Sequence, residues 1–246
     1  MAMKNIAAFF DIDGTLYRDS LMIEHFKKLI KYEVIDPALW HSHVKHTYKE
    51  WQARVGEYED YMEELAEIYV DSLKGLKKEE IQFISQQVIN LKGDQVYTYT
   101  RDQIEWHKSQ GHKVFFISGS PEHLVARMAY KYGVEDYKGT EYLLNPDGTF
   151  TGEVIPNWDA DSKNRVIHAF VDQYHIDLTN SYAYGDTNGD LSMMRLVGNP
   201  VAINPTRELL DNIRSEHTLN NNATIIVERK DIIYKLGPDV NTIRPL

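Results

Sequence analysis

Asn5-Ile6-Ala7-Ala8-Phe9-Phe10-Asp11-Ile12-Asp13-Gly14-Thr15-Leu16 is an apolar run that ends on two carboxylates and a glycine. The approach to Phe10 predicts a short buried strand, and Gly14 permits a sharp turn that few other residues accept. Side chains alternate along a strand, so Asp11 and Asp13 would share one face if the strand ran on unbroken. Two like charges that close are costly unless a cation lies between them or one carboxyl keeps its proton. The pair therefore points to a divalent metal, an acid beside a nucleophile, or both. The plainer alternative is a strand that closes in a solvated Asp-Gly turn.

The rest of the chain bounds what that pair can do. Its 246 residues suffice for one large domain or for one domain with an insertion. Hydrophobic residues at 42% and charged residues at 26% give the balance of a globular protein. A net charge of −10 argues against a general nucleic-acid binder, which must neutralise many phosphates. Small phosphorylated substrates stay compatible, because a local metal and one or two cations outweigh a distant acidic surface. The absence of cysteine excludes disulfides, thiolate nucleophiles and zinc–thiolate sites. The stretch from Met1 to Ile6 lacks the features of a signal peptide, and no apolar run approaches the ~20 residues of a membrane span. The expectation is a cytoplasmic protein that uses neither membrane nor nucleic acid.

From Asp19 to about Lys92 the pattern is helical and rich in aromatic residues. Leu21, Ile23, Phe26, Leu29 and Ile30 recur at helical spacing, and Asp36-Pro37 opens a second helix with Asp at the cap. Third and fourth helices are expected from Tyr58 to Leu73 and from Lys77 to Leu91, so the segment reads as a four-helix bundle. Beyond it, strands and helices alternate. Thr100-x-x-Gln103 reads as a capping box, and Lys113 to Gly119 as a second strand-to-loop transition. Pro121 begins a helix that stops at Gly133, and Glu141 to Val154 looks like a β-hairpin. Ser162 is expected to cap a helix through His175. Tyr182 to Asp186 reads as a third core strand, and Pro200 to Ile203 as a further one. The last residues, after Pro205, suggest one helix and one small strand. Repeated strand–helix units imply a parallel sheet whose ligands sit beyond the carboxyl ends of its strands. Asp11, Ser118 and Asp186 each fall at such an end.

Taken in order, Asp11-Ile12-Asp13-Gly14-Thr15, Phe116-Ile117-Ser118-Gly119-Ser120, Lys163, and Gly185-Asp186-Thr187-Asn188-Gly189-Asp190 resemble the four motifs of the haloacid dehalogenase superfamily of phosphohydrolases. Ser118-Gly119-Ser120-Pro121-Glu122 and Asp147-Gly148-Thr149-Phe150-Thr151-Gly152 resemble its phosphoserine phosphatase branch. The resemblance implies an α/β fold, a Rossmann-like parallel-sheet core of residues 1–18 and 93–246 with an inserted α-helical bundle cap over 19–92. It implies a Mg²⁺-dependent phosphatase that hydrolyses a small phosphorylated metabolite through an aspartyl-phosphate. By that resemblance Asp11 is the nucleophile and Asp13 the general acid and base. Ser118 and the Gly119 amide bind phosphoryl oxygens, and Lys163 offsets charge on Asp11 and on the phosphate. Hard-cation ligands would be the Asp11 carboxylate, the Asp13 carbonyl and the Asp186 carboxylate, with Asp190 holding a metal-bound water.

Bland alternatives compete at several positions. Ser118 could simply cap the following helix, Asp190 could be a helix-start carboxylate, and Lys113 and Lys138 compete with Lys163. His41, His43 and His46 invite a metal reading but do not share one helical face. Phosphoserine phosphatases carry a Glu shortly after the first motif and an Arg in the cap. Here Asp19-Ser20 and Arg54 stand in those neighbourhoods, which argues against phosphoserine as the substrate. Two alternatives stand beside hydrolysis: a phosphotransferase that passes the phosphoryl group to an alcohol, and a receiver-like phospho-Asp signalling domain. The latter conflicts with the large helical insertion after the first motif and with the pair Asp186 and Asp190. The sequence carries no sign of the oligomeric state.

Overall fold

The computed structural model describes residues 4–40, 44–53 and 58–243. The chain divides into two compact units, one made of Met1–Ser20, Gly93–Thr140 and Pro156–Leu246, the other of Leu21–Lys92 and Glu141–Ile155.

The first unit is built on a sheet. Its strands are β1 (Ala7–Phe10), β2 (Lys113–Pro121), β3 (Asp136–Leu144), then β5 (Tyr182–Gly185) after the β4 strand (Phe150–Ile155) of the other unit. β6 (Asn199–Ile203), β7 (Thr224–Glu228) and β8 (Ile233–Leu236) complete it. They lie in the order β3-β2-β1-β5-β6-β7-β8. All neighbours are parallel except β7 and β8. All four residues of β1 are fully buried, as expected of a parallel strand covered on both faces. Phe9 packs with Phe115, Phe170 and Met193 in one cluster. Phe10 stacks on Tyr184 at 4.1 Å, and the Tyr184 hydroxyl meets His107 Nε2 at 2.8 Å. From β1 the chain builds the sheet first toward β3 and later toward β8. The crevice where that direction reverses opens at the carboxyl end of β1, beside those of β2 and β5.

The flanking helices are α5 (Thr98–Ser109), α6 (Glu122–Tyr132), α7 (Ala160–Tyr174), α8 (Leu191–Leu196), α9 (Arg207–Ser215) and α10 (His217–Asn222). Two helix starts differ from expectation. The capping box at Thr100 does not form. α5 begins three residues earlier, with Tyr97 at the cap position, and its first amides, Thr98 N and Tyr99 N, donate to the Glu228 carboxylate at 2.9 and 2.8 Å. Ser162 is not the cap of α7 either: Asp159 is, its carboxylate accepting from Ser162 N at 2.8 Å. The tail after Pro205 holds two helices and two strands rather than one of each.

The second unit packs α1 (Leu21–Lys31), α2 (Lys45–Gln52), α3 (Tyr58–Leu73) and α4 (Lys78–Lys92) around Ile23, Phe26, Leu65, Tyr69, Ile81 and Ile84. Asp36 accepts from Ala38 N at 2.8 Å, as a cap there would, but α2 as described begins at Lys45 and not at Pro37. The hairpin corrects the expected division of the chain, which placed 93–246 wholly in the core. β3 pairs with β2 up to Thr140, then with β4 from Glu141 onward. The hairpin half groups with the helices because Phe150 is buried in their cluster and Tyr142 meets the edge of Tyr69 at 5.7 Å. His41, His43 and Arg54 lie outside the described residues, while His46 pairs with Glu50 at 3.2 Å.

Candidate active site

The site grows from the turn after β1. The strand stops at Phe10, and the Ile12 carbonyl accepts from the amides of Leu16 at 2.9 Å and Tyr17 at 2.7 Å. Winding up so soon takes Asp11 and Asp13 out of the shared face that an unbroken strand would give them. Asp11 is buried at 6% exposure, and its carboxylate meets Lys163. Asp13 Oδ2 instead accepts from Ser120 Oγ at 2.5 Å and Ser20 Oγ at 3.4 Å. Gly14 turns at φ +82°, and a Cβ there would fall 2.1 Å from Asp186 Oδ2. Only glycine meets both demands.

Lys163 projects from the first turn of α7 and is 4% exposed. Its Nζ donates to Asp11 Oδ1 at 3.1 Å and to Asp190 Oδ1 at 2.5 Å. The competing lysines are engaged elsewhere, Lys113 with Glu135 and Lys138 with Glu122, each at 2.7 Å. After β5, a 3-10 turn over Asn188–Asp190 brings Asp190 back under Asp186. Asp190 Oδ2 accepts from Asp186 N at 3.1 Å and Thr187 N at 3.2 Å. Gly185 leaves room for this, since a Cβ there would lie 2.3 Å from Asp190 Cβ. Asp186 Oδ1 accepts from Thr15 Oγ1 at 2.9 Å.

At the end of β2, Ser118 is buried, and its hydroxyl oxygen accepts from Ser120 N at 3.1 Å. That leaves its proton free for another acceptor. The Ser118 and Gly119 carbonyls are held by Asn157 Nδ2 at 3.0 Å and Thr140 Oγ1 at 2.7 Å. The sequence reading gave no role to Thr15, Ser120, Thr140 or Asn157. Thr15 and Ser120 sit inside the quoted motifs, but Thr140 and Asn157 carry no local signal, because their partners come from another strand.

Charge in the site is unbalanced. Asp11, Asp186 and Asp190 present oxygens that all lie within 4.8 Å of one another, against one ammonium. Burial pushes the Asp11 carboxyl up to about 8, with Asp190 and Asp13 adding to the rise and Lys163 opposing it. Burial, Asp190 and Asp11 hold the Asp186 carboxyl well above the usual range. Burial alone would lower Lys163, but Asp11 and Asp190 more than offset it and hold its proton firmly. Such a set of hard oxygens with excess negative charge is chemically suited to a small divalent cation.

Among the described residues no helix is long and apolar enough to cross a membrane. A curated relative from Neisseria meningitidis serogroup C (strain 8013), named histidinol-phosphatase, is 25% identical over 216 residues, covering 84% of this chain and 93% of the relative. Among solved structures, a protein of unknown function from Bordetella pertussis Tohama I superposes with a TM-score of 0.70 at 19% identity, over 87% of this chain and 96% of that one. A phosphoserine phosphatase described as a phospho-aspartyl intermediate analogue superposes with a TM-score of 0.61 at 21% identity, over 93% of this chain and 96% of that one. These likenesses fix the fold. The profile of the haloacid dehalogenase-like hydrolases matches residues 8–195, from the middle of β1 into α8 and through every motif described above, so the chain belongs to that family.

Proposed function

We propose that this protein hydrolyses the phosphate monoester of a small metabolite, with Asp11 as the nucleophile. The observation that carries the reading is the placement of Lys163, whose ammonium bridges Asp11 and Asp190 in a buried site at the carboxyl ends of the strands. An ammonium so placed opposes the rise that burial imposes on the Asp11 carboxyl and stabilises the anion when it forms. Asp11, Asp186 and Asp190, with the Asp13 carbonyl, would hold Mg²⁺, which when bound offsets the repulsion between carboxylate and phosphate.

The remaining steps belong to the chain's own groups. Ser118 Oγ and the Gly119 amide orient the phosphoryl oxygens. The Asp13 carboxyl, fixed by Ser120, gives its proton to the departing alkoxide. It then takes a proton from the water that attacks phosphorus in the aspartyl-phosphate, which breaks the bond to Asp11 and releases phosphate. Membership of a hydrolase family favours such turnover over the receiver-like alternative.

The test is release of inorganic phosphate from p-nitrophenyl phosphate and from a panel of phosphorylated metabolites, including histidinol phosphate and phosphoserine, with Mg²⁺ present. The wild-type protein should turn over at least one of them, and Asp11→Asn none. Asp13→Asn should fall roughly 10²–10⁴-fold, the usual worth of general acid–base catalysis. Phosphate recovered in an alcohol ester in place of free phosphate would replace hydrolysis with phosphotransfer. Full activity of Asp11→Asn would displace the nucleophile.

A further inference from the structure

Trp158 stands where two of the motif loops meet, and none of the chemistry above employs it. Its neighbours on both sides are fixed. Asn157 is 2% exposed and donates through Nδ2 to the Ser118 carbonyl at 3.0 Å and the Lys138 carbonyl at 3.3 Å, and through its backbone amide to Thr140 Oγ1 at 3.2 Å. Asp159 caps α7, one turn before Lys163. A Cβ added at Gly119 would lie 3.0 Å from Trp158 Cβ, and one at Gly189 would lie 3.3 Å from the Trp158 carbonyl oxygen. Trp158 is thus wedged between the loop that carries Ser118 and the loop that carries Asp186 and Asp190. Both loops have a residue without a side chain at the point of contact.

Trp158 is 47% exposed. Among the described residues its indole has no aromatic neighbour and no hydrogen-bond partner. Exposed apolar side chains occur elsewhere on the molecule, such as Tyr130 at 90%, and need no explanation singly. Trp158 differs in combining a pinned backbone, an unpartnered indole and contact with two of the motif loops. An indole on a backbone held against two motif loops offers a flat face with few rotors to order, and such faces are best matched by another ring.

We propose that Trp158 is a specificity-determining residue whose indole face receives a flat, ring-bearing leaving group, so that the favoured substrates are aryl or heteroaryl phosphate monoesters. The inference rests on the phosphatase reading above and adds the chemical class of the ester to it.

Phenyl phosphate and ethyl phosphate separate the two ideas, assayed with Mg²⁺ on the wild-type protein, Trp158→Phe and Trp158→Leu. Trp158→Leu should raise KM for phenyl phosphate roughly 2- to 10-fold, the worth of one aromatic pair, with kcat held. The KM for ethyl phosphate and the inhibition constant of inorganic phosphate should not move, and Trp158→Phe should restore most of the phenyl preference. A purely structural role would shift both esters together, or kcat with KM, and would overturn the proposal. A wild-type protein that cleaves neither ester, nor any member of the panel above, fails the phosphatase reading and takes this one with it. Cleavage of both at an unchanged ratio in all three proteins removes only the role of Trp158. If Trp158→Leu does not fold, the unaltered protein still decides. Phenylphosphonate should quench its tryptophan emission more than methylphosphonate does at equal occupancy, and equal quenching counts against the contact.

Discussion

Gly14 carries two constraints that have different physical origins. Its φ of +82° is the left-handed region that side chains disfavour, and any Cβ would collide with the Asp186 carboxylate at 2.1 Å. Gly14→Ala should therefore cost on the order of 1–3 kcal/mol of stability. It should also depress activity, because relief of the clash moves Asp186. Urea unfolding read beside the phosphatase assay checks both, and a wild-type midpoint would refute the steric argument. Lys163 tests the electrostatic side of the same site. Both of its carboxylate partners are buried, so Lys163→Met leaves them without their ammonium in a medium that cannot solvate them. The expected loss approaches the roughly 3–5 kcal/mol of other broken buried pairs only above about pH 8, where Asp11 is ionised, and is smaller at lower pH, where the carboxyl takes up a proton instead. Activity should fall on every substrate alike, since Lys163 touches Asp11 and not the leaving group. A loss confined to some esters would mean that it acts on specificity.

Among the elements, what the sequence disclosed depends on the range of the forces involved. β1 was legible because its apolar run abuts Asp11 directly, and a buried parallel strand ending at a reactive loop has that texture. The motif turns were legible as local patterns, and Gly185 with Asp190 is a steric match inside one short stretch, whereas the match of Gly14 to Asp186 joins two motifs far apart in the chain. The start of α5 was not legible. Its cap is Glu228 on β7, about 130 positions along the chain, so no local pattern around Thr100 could announce it. The start of α7 was misplaced by three residues because Asp159 and Ser162 are both good capping types, and only geometry shows which carboxylate or hydroxyl accepts. The shared face of Asp11 and Asp13 depended on an unbroken strand, and the strand ends at Phe10. Glu228 repays a test, being 9% exposed, bound to two helix amides and paired with Arg18 at 3.3 Å. Glu228→Ala should lower stability by about 1–3 kcal/mol through the lost cap and the orphaned amides, with the dependence on denaturant unchanged. A midpoint within error of wild type would show that water replaces the carboxylate without cost.

For the molecule as a whole, the sheet order is what concentrates charge. The carboxyl ends of β1 and β5 bring Asp11, Asp186 and Asp190 together from positions far apart in the chain, and the fold must bear their repulsion. The consequence for global stability has a definite sign. Asp11 is raised from 3.8 to about 8, and Asp186 is also raised, so between those values the folded protein binds protons that the unfolded chain has released. Without divalent metal, their contribution to stability is complete below about pH 4 and is lost as pH rises toward 8, with each carboxylate costing at most about 1.4 kcal/mol per pH unit. The depressed carboxyls, Asp147, Asp159, Asp177 and Glu216, act in the opposite sense, but their window lies at and below their ordinary values, so the two effects separate on the pH axis. A divalent cation held by the cluster favours the ionised carboxylates and should cancel the slope on the neutral side. Urea unfolding in EDTA should thus show stability declining from pH 5 to pH 8, while saturating Mg²⁺ should raise stability most at pH 8 and flatten the curve. Phosphatase activity should vanish and return with the same titration of metal, and Ca²⁺ should restore it poorly because its looser coordination misplaces the attacking oxygen. A curve with the same slope in EDTA and in Mg²⁺ would mean that the three carboxylates do not hold the ion, and the assignment of the metal site to them would fall.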